Sequence, residues 1–489
     1  MADNSFSDAV LATCLQNQVE HSILLNTAKE AAEQCVLGNK KFFSISLSIP
    51  KVDALAVLEQ HSLKKSFEFY WEKPIDDFAI AAAGQLVRVQ STGDSRFKEA
   101  SAKGKAILNE VHHFTNLNHS LAVVHLLGGF SFFDHNIGKH WKDFGAGSFT
   151  LPEWLIIRDG KFNILTLSFK LSKDDTAQSI LEQLYDKLAM LDGICQASSY
   201  SIGPELDKHN VLNVPTQNSS EHERWINSVT KAKEKITEKE FSKIVVAREL
   251  PIKLDKPVSD THIINRLRHQ YPDCYSFLIR QNANSSFIGC SPERLASFKG
   301  NFIFTEGLAG STPRGKSASE DAKLEFNLLR CDKDIEEHNI VLNAIQENLT
   351  PFADSIEFPS KLGIKKLSNV QHLHTPIRAR IKDGVSKTEV LKTLHPTPAV
   401  GGFPKEKAIP YITQFEDFDR GWYAGPIGWI NAHGEGEFAV AIRSGLIKNE
   451  EVRFFAGCGI VEGSDPEKEW EETNLKFIPM LSALEYAGK

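Results

Sequence analysis

Near its C-terminal end the chain reads PEKEWEETNLK (466–476), with Glu469, Glu472 and Lys476 at helical spacing. Residues three and four apart share one face of a helix, so these three side chains form a stripe. Two carboxylates and an ammonium on one stripe can hold a divalent cation beside an anionic ligand. They can also form an exposed ladder of ion pairs. Trp470, in the middle of the charge run, sits awkwardly with the second reading. A further carboxylate of interest lies in CDKDIEEHNIVLNAI (331–345), where Glu337 lines up with Ile340, Val341 and Ala344. A carboxylate on an apolar stripe needs a partner such as a cation, because burying it alone is costly.

Four other stretches carry residues able to do chemistry. FSKIVVAREL (241–250) reads as a strand with Lys243 at its start. Such a lysine normally reaches solvent, but a buried one gives up its proton more readily and becomes a usable general base. GCSPERLASF (289–298) places Glu293 just after a proline, as a loop carboxylate. FTEGLAGSTPRG (304–315) reads as a glycine-rich loop that lets backbone N–H groups approach an anion. EFAVAIRSGLI (437–447) reads as one strand, with Ala439, Ala441 and Arg443 sharing a face that leaves room for a carboxylate against the guanidinium. The following strand, VRFFAGCGIV (452–461), carries Gly457 and Gly459, which permit close backbone approach. Asp465 and Pro466 then look like the cap and first position of the glutamate-bearing helix.

The elements that must position these groups are mixed. Strand-like runs occur at 42–49, 66–74, 78–89, 121–133 and 153–169, and helical patterns at 99–114 and 177–191. A polar, proline-containing seam at 203–225 leads into a helix carrying Trp225, Ile226, Val229, Ala232 and Ile236. This divides the chain into a region 1–220 and a region 221–489. Strands and helices alternate irregularly after the seam, as in an α+β fold with large, mostly antiparallel sheets.

The chain has 489 residues, 41% of them hydrophobic, enough for a large core. A formal net charge of -7 and the lack of a basic, aromatic-rich patch exclude nucleic acid as an expected partner. No apolar run is long enough to span a membrane, and the N-terminal residues do not resemble a secretory signal. Seven cysteines without paired spacing suit reduced thiols in a cytoplasmic protein.

Taken together and in order, KIVVARE, SPERL, GLAGSTPRG, EEHNIV, LHTPIRA, LHPTPAVGGFP, GWYAGPIGW, FAVAIRSG and AGCGIVEGSDPEKEWEETNLK resemble the chorismate-utilising enzyme family. That family includes isochorismate, salicylate, anthranilate and aminodeoxychorismate synthases. The resemblance covers roughly 221–485, and GGFSFF and LPEWLIIRDG carry it more weakly into the N-terminal companion region. It implies an α+β sandwich of two large antiparallel sheets with helices outside and the active site between the sheets. It implies Mg²⁺ held by Glu337 and Glu472, with Glu469 supporting through water. Lys476 would meet the ring carboxylate of chorismate, Arg443 and Tyr423 the enolpyruvyl carboxylate, and His372 would lie near the ring. Gly310, Ser311 and Gly457 would also line the substrate site.

Single residues point within the family. Lys243 resembles the members that use water rather than ammonia, so no glutamine amidotransferase partner is expected. Ala399 stands where salicylate and anthranilate synthases typically carry Thr, and resembles the members that stop at isochorismate. Arg378 takes the place of a nucleophilic lysine of aminodeoxychorismate synthases. The implied chemistry is water activated by Lys243 attacking C2, with Glu293 protonating the departing C4 hydroxyl. FYWEKP (69–74) resembles menaquinone-pathway members; siderophore or salicylate supply is the alternative. A salicylate synthase and an inactive chorismate-binding scaffold are the rival readings.

Overall fold

A computed structural model describes residues 10–60, 66–134, 137–192, 219–367 and 370–487. Most of the seam, residues 203–218, and Cys195 lie outside the described residues. Two large sheets, of twelve and ten strands, account for the strand-rich sequence, and their pairings are antiparallel apart from one parallel pair between Phe42–Ser48 and Val111–Thr115. The expected α+β sandwich is what the chain forms.

Each sheet joins strands from before and after the seam. In the larger sheet Tyr275–Asn282 pairs with Glu68–Lys73, setting Phe277 opposite Trp71. In the smaller, Pro426–Asn431 pairs with His125–Phe130. The larger sheet is covered on both faces. Phe69, Trp71, Tyr275, Phe277 and Ile279 point into the core shared with the second sheet, while Tyr70 and Leu278 point into a second core under helices. The helices His21–Val36, Ala177–Leu191 and Asp260–Gln270 close that outer face with Leu24, Leu184 and Ile264. This two-sided burial explains why the central strands read as apolar runs rather than alternating patterns.

Four segments differ from the sequence expectation. Residues 99–114 are not one helix: the helix Arg96–Asn109 stops and Val111–Thr115 turns into an edge strand. The run 78–89 is two strands, Phe78–Ala83 and Val87–Ser91, which enter different sheets around Gly84, whose φ is +81°. The glycine-rich stretch 304–315 is not a loop. Most of it is a strand, Phe302–Pro313, whose backbone is committed to pairing with Val370–Ile381, with a bulge at Gly310. The stretch 437–447 is not one strand: Gly436–Val440 ends in the smaller sheet and Ser444–Lys448 begins in the larger. Arg443, at φ +50°, lies in the crossing.

None of the described helices is long and apolar enough to cross a membrane. The six described cysteines are free thiols.

Candidate active site

Lys243 opens the strand Lys243–Lys253 in the larger sheet and is only 2% exposed. Its ammonium donates to Glu337 Oε1 at 2.6 Å. Glu337 is delivered by the helix Asp332–Leu349, which packs on the Phe302–Pro313 strand and buries Val341, Ala344 and Ile345. Its neighbour Glu336 is exposed, as the stripes in the sequence require. Burial acts to raise the Glu337 carboxyl, and the Lys243 ammonium overrides it, so the group sits below the ordinary carboxylate value. The strand beside Lys243 is Glu451–Ile460, where a Cβ on Gly459 would come within 2.8 Å of Lys243 Cε and 4.0 Å of Glu337 Oε1. Gly459 is thus needed for the bare space the lysine fills. Gly457, two residues away, faces Ala247 and the Tyr423 hydroxyl.

Glu293 sits where the chain leaves Ser285–Ser291 of the larger sheet and enters Arg294–Lys299 of the smaller. The Arg443 crossing runs alongside it in the opposite sense. The two are tied by Val440 N–H donating to Glu293 O at 3.1 Å and Cys290 N–H donating to Arg443 O at 3.0 Å. The two sheet-to-sheet crossings, and the residues Glu293 and Arg443 that they carry, therefore run side by side. Glu293 is 8% exposed, and its Oε1 accepts from the Thr397 hydroxyl at 3.2 Å. Burial lifts its pKa to about 7, the Thr397 hydrogen bond and the Lys365 and Lys243 charges opposing and the Glu306 charge assisting. It therefore keeps its proton into a range where an exposed glutamate has lost it.

The glutamate run forms the first turns of the C-terminal helix, Pro466–Ala487, with Asp465 accepting from the N–H groups of Glu467 and Lys468. Trp470 does face inward. It is 6% exposed and lies 3.8 Å from the guanidinium of Arg248, which also donates to Thr473 Oγ1 at 2.8 Å. This anchor fixes the helix against the Lys243 strand and turns Glu469, Glu472 and Lys476 toward the site. Lys476 donates to Gly457 O at 2.8 Å and to Glu472 Oε1 at 2.7 Å. Glu472 is half exposed, whereas Glu469 is pushed above the ordinary carboxylate value, first by burial and further by the Glu472 charge.

From the smaller sheet, His372 Nδ1 meets Ser311 Oγ at 2.7 Å, and His372 Nε2 is buried without a partner among the described residues. Burial, with the Arg443 and Lys476 charges nearby, lowers its pKa to about 3, so it is neutral at physiological pH. Gly310 is needed for packing: its φ is +73°, and a Cβ there would lie 3.0 Å from Asp334 Cβ of the Glu337 helix. Tyr423 is buried, its ring stacked on Phe455 and its hydroxyl raised above the ordinary value by burial. Ala399 is half-buried, two residues beyond Thr397. Arg378 is exposed, paired with Glu357 at 3.6 Å and lying over Phe302, with none of the site residues among these partners.

Among the described residues no three His, Cys, Asp or Glu side chains form a metal cluster as they stand. The donor set nonetheless suits a hard cation. Glu337, Glu469 and Glu472 are all oxygen donors, and all three feel or touch the single ammonium of Lys476. Sequence reasoning missed Thr397, though it lies inside a quoted motif. It also missed the buried Arg420–Glu416 pair at 2.5 Å, which ties the Tyr423 segment to the Lys243 strand through Val245 O and Ala247 N. Glu416 and Arg420 are four residues apart, a spacing the sequence does show, whereas none marks the contact of Thr397 with Glu293.

The family model "Chorismate binding enzyme" matches residues 26–485. The chain is 32% identical over 483 residues to "Isochorismate synthase MenF" of Bacillus subtilis, covering 97% of this chain and 99% of that one. It is 32% identical over 488 residues to "Salicylate biosynthesis isochorismate synthase" of Pseudomonas aeruginosa, covering 98% and 97%. Among solved structures, MenF, the menaquinone-specific isochorismate synthase of Escherichia coli, superposes with a TM-score of 0.73 at 26% identity, covering 94% of this chain and 100% of that one.

The space at Gly459 gives a direct test. Gly459→Ala should push Lys243 off Glu337 and lower the unfolding free energy by ~1–3 kcal/mol, the usual cost of overpacking. Gly463→Ala, with nothing within 4 Å of the added carbon, should leave stability unchanged. Denaturant unfolding of both variants decides; equal stability would show that the Lys243 pocket has room to spare.

Proposed function

The chain belongs to the chorismate-binding enzyme family, and we propose that it isomerises chorismate to isochorismate with water as the nucleophile. The observation that carries this reading is the pair of opposed buried groups: an amine, Lys243, and a carboxyl, Glu293, that holds its proton up to about pH 7. The identity of the full-length relatives supports the same product.

In the reacting state Lys243 is the neutral amine and Glu293 carries the proton, and Lys243 takes a proton from water as the oxygen bonds to C2 of the ring. Both ring double bonds shift one position, the C4–O bond breaks, and Glu293 gives its proton to the departing hydroxyl, which leaves as water. Thr397 holds the Glu293 carboxyl, and Glu337 orients the Lys243 amine. Arg443 and Tyr423 hold the enolpyruvyl carboxylate, with neutral His372 and Ser311 beside the ring. Lys476, held by Gly457 O, meets the ring carboxylate. Glu337 and Glu472 would hold Mg²⁺, with Glu469 supporting through water. When bound, that ion neutralises a substrate carboxylate that otherwise faces acidic side chains. Water as nucleophile removes any need for an amidotransferase subunit. Supply to menaquinone synthesis is the favoured pathway, on the FYWEKP stretch and the Escherichia coli structure.

Lys243→Ala and Glu293→Gln should each lower turnover by at least ~10²–10⁴-fold in both directions while chorismate still binds. The reacting state shares one proton between the two groups, and no net proton is consumed, so kcat/KM should follow the same bell-shaped pH profile from either substrate. One limb should lie near pH 7, from the raised Glu293 carboxyl, and vanish in Glu293→Gln. Rates of wild type and variants from chorismate and from isochorismate between pH 5 and 10, with a binding assay, check this. A variant within about tenfold of wild type in either direction would remove that residue from the mechanism.

Chelation should abolish turnover and added Mg²⁺ restore it. Glu337→Gln and Glu472→Gln should be nearly inactive while folded by circular dichroism. Full turnover in excess EDTA would contradict the assignment of the carboxylates.

A further inference from the structure

Glu293 is held at more points than its side chain alone. Its N–H donates to Ser291 Oγ at 3.2 Å and its carbonyl accepts from Val440. The flanking peptides are gripped by a charged pair. The Lys365 ammonium donates to Pro292 O at 3.4 Å, on one side of Glu293, and to Glu306 Oε1 at 2.7 Å. The same Glu306 oxygen accepts from Arg294 N–H at 3.4 Å, on the other side. The second Glu306 oxygen meets His374 Nε2 at 2.8 Å. Glu306 is nearly buried, at 7% side-chain exposure, whereas Lys365 keeps 20% and stands on the short strand Gly363–Lys366, which pairs with Val370–Ile381.

A buried ion pair contributes little net stability once desolvation is counted. What this pair does contribute is a fixed path for the Pro292–Arg294 backbone, and with it the direction of the Glu293 side chain. We propose that Lys365 and Glu306 are positioning residues for proton transfer by Glu293, acting as a charged clamp on the two peptides that flank it. This rests on the assignment of Glu293 as the acid in chorismate isomerisation.

Both clamp residues also place charge near the Glu293 carboxyl. The groups facing it are Lys243 from the Lys243–Lys253 strand, Glu306 from the Phe302–Pro313 strand and Lys365 from the Gly363–Lys366 strand; the Thr397 hydroxyl supplies a hydrogen bond. His374 stands behind Glu306, and Arg294 points away to Tyr275 and Glu437. The two clamp charges act in opposite senses. Removing the Lys365 cation favours the protonated carboxyl, and removing the Glu306 anion favours the ionised one.

The test measures kcat, KM and the pH profile with chorismate and Mg²⁺ for Lys365→Met, Lys365→Arg and Glu306→Gln. Lys365→Met and Glu306→Gln should each lower kcat by more than about tenfold with KM within about threefold of wild type. The limb of the profile belonging to Glu293 should move to higher pH in Lys365→Met and to lower pH in Glu306→Gln, by about half a unit or more. Lys365→Arg should restore most of kcat and leave the limb in place. Should Glu306→Gln fail to fold, Lys365→Met decides, because its methionine fills the same partly exposed groove. Loss of kcat with an unmoved limb, or no loss at all, would overturn the clamp. Wild type and Glu293→Gln are measured alongside. An inert wild type or an active Glu293→Gln overturns the functional reading, and this inference with it; if both behave as expected and the limb does not move, the clamp alone fails.

Discussion

The structure depends on a lysine ammonium buried where apolar side chains would be expected. Lys243 lies in a strand covered on both faces, and an unpaired charge there would cost several kcal/mol. Glu337 removes that cost, so the helix bearing it must dock on the smaller sheet at one depth and one rotation. Gly310 lets the helix approach, and Gly459 leaves the lysine its space. A sandwich of two sheets supplies this geometry because strands can pass from one sheet to the other beside the pair. Glu293 and Arg443 both sit at such crossings, Glu293 O accepting from Val440 N–H and Arg443 O from Cys290 N–H.

The C-terminal helix solves a related problem. Its first turns carry Glu467, Glu469, Glu471 and Glu472, yet one face is tightly packed. Trp470 and Arg248 secure that face, and the remaining stripe presents two carboxylates and Lys476 to the site. Packing on one side thus allows charge to concentrate on the other. The same division appears at Glu306, where burial acts to raise the carboxyl but the His374 hydrogen bond, Lys365 and the Arg294 charge together hold it below its ordinary value.

What the sequence made legible was local. Helical spacing separated Glu337 from exposed Glu336 and placed Glu469, Glu472 and Lys476 on one stripe, and the structure keeps both arrangements. The sandwich architecture followed from the family resemblance rather than from periodicity. Where side-chain pattern alone was used over longer stretches it failed at sheet changes. The run 437–447 has strand composition throughout, yet the chain turns at Arg443, and nothing in an apolar run records which sheet a residue joins. The glycine-rich stretch 304–315 was misread because its partner strand lies some sixty residues later. Thr397, Lys365 and Glu306 reach the Glu293 segment across comparable distances in sequence or by sheet register, so only the folded chain reveals them. Arg378 shows the converse: a motif position that looked informative lies exposed over Phe302.

If Lys243 and Glu293 act as the base and acid proposed, they exchange one hydroxyl for another across the ring. Turnover of chorismate in H₂¹⁸O, stopped early and resolved by mass spectrometry with fragmentation, shows whether they do. The expected product is isochorismate carrying one ¹⁸O, located in the C2 hydroxyl, with the C4 oxygen lost to solvent. Unlabelled isochorismate, which would mean that the original hydroxyl migrates, or salicylate as the first product, would contradict it.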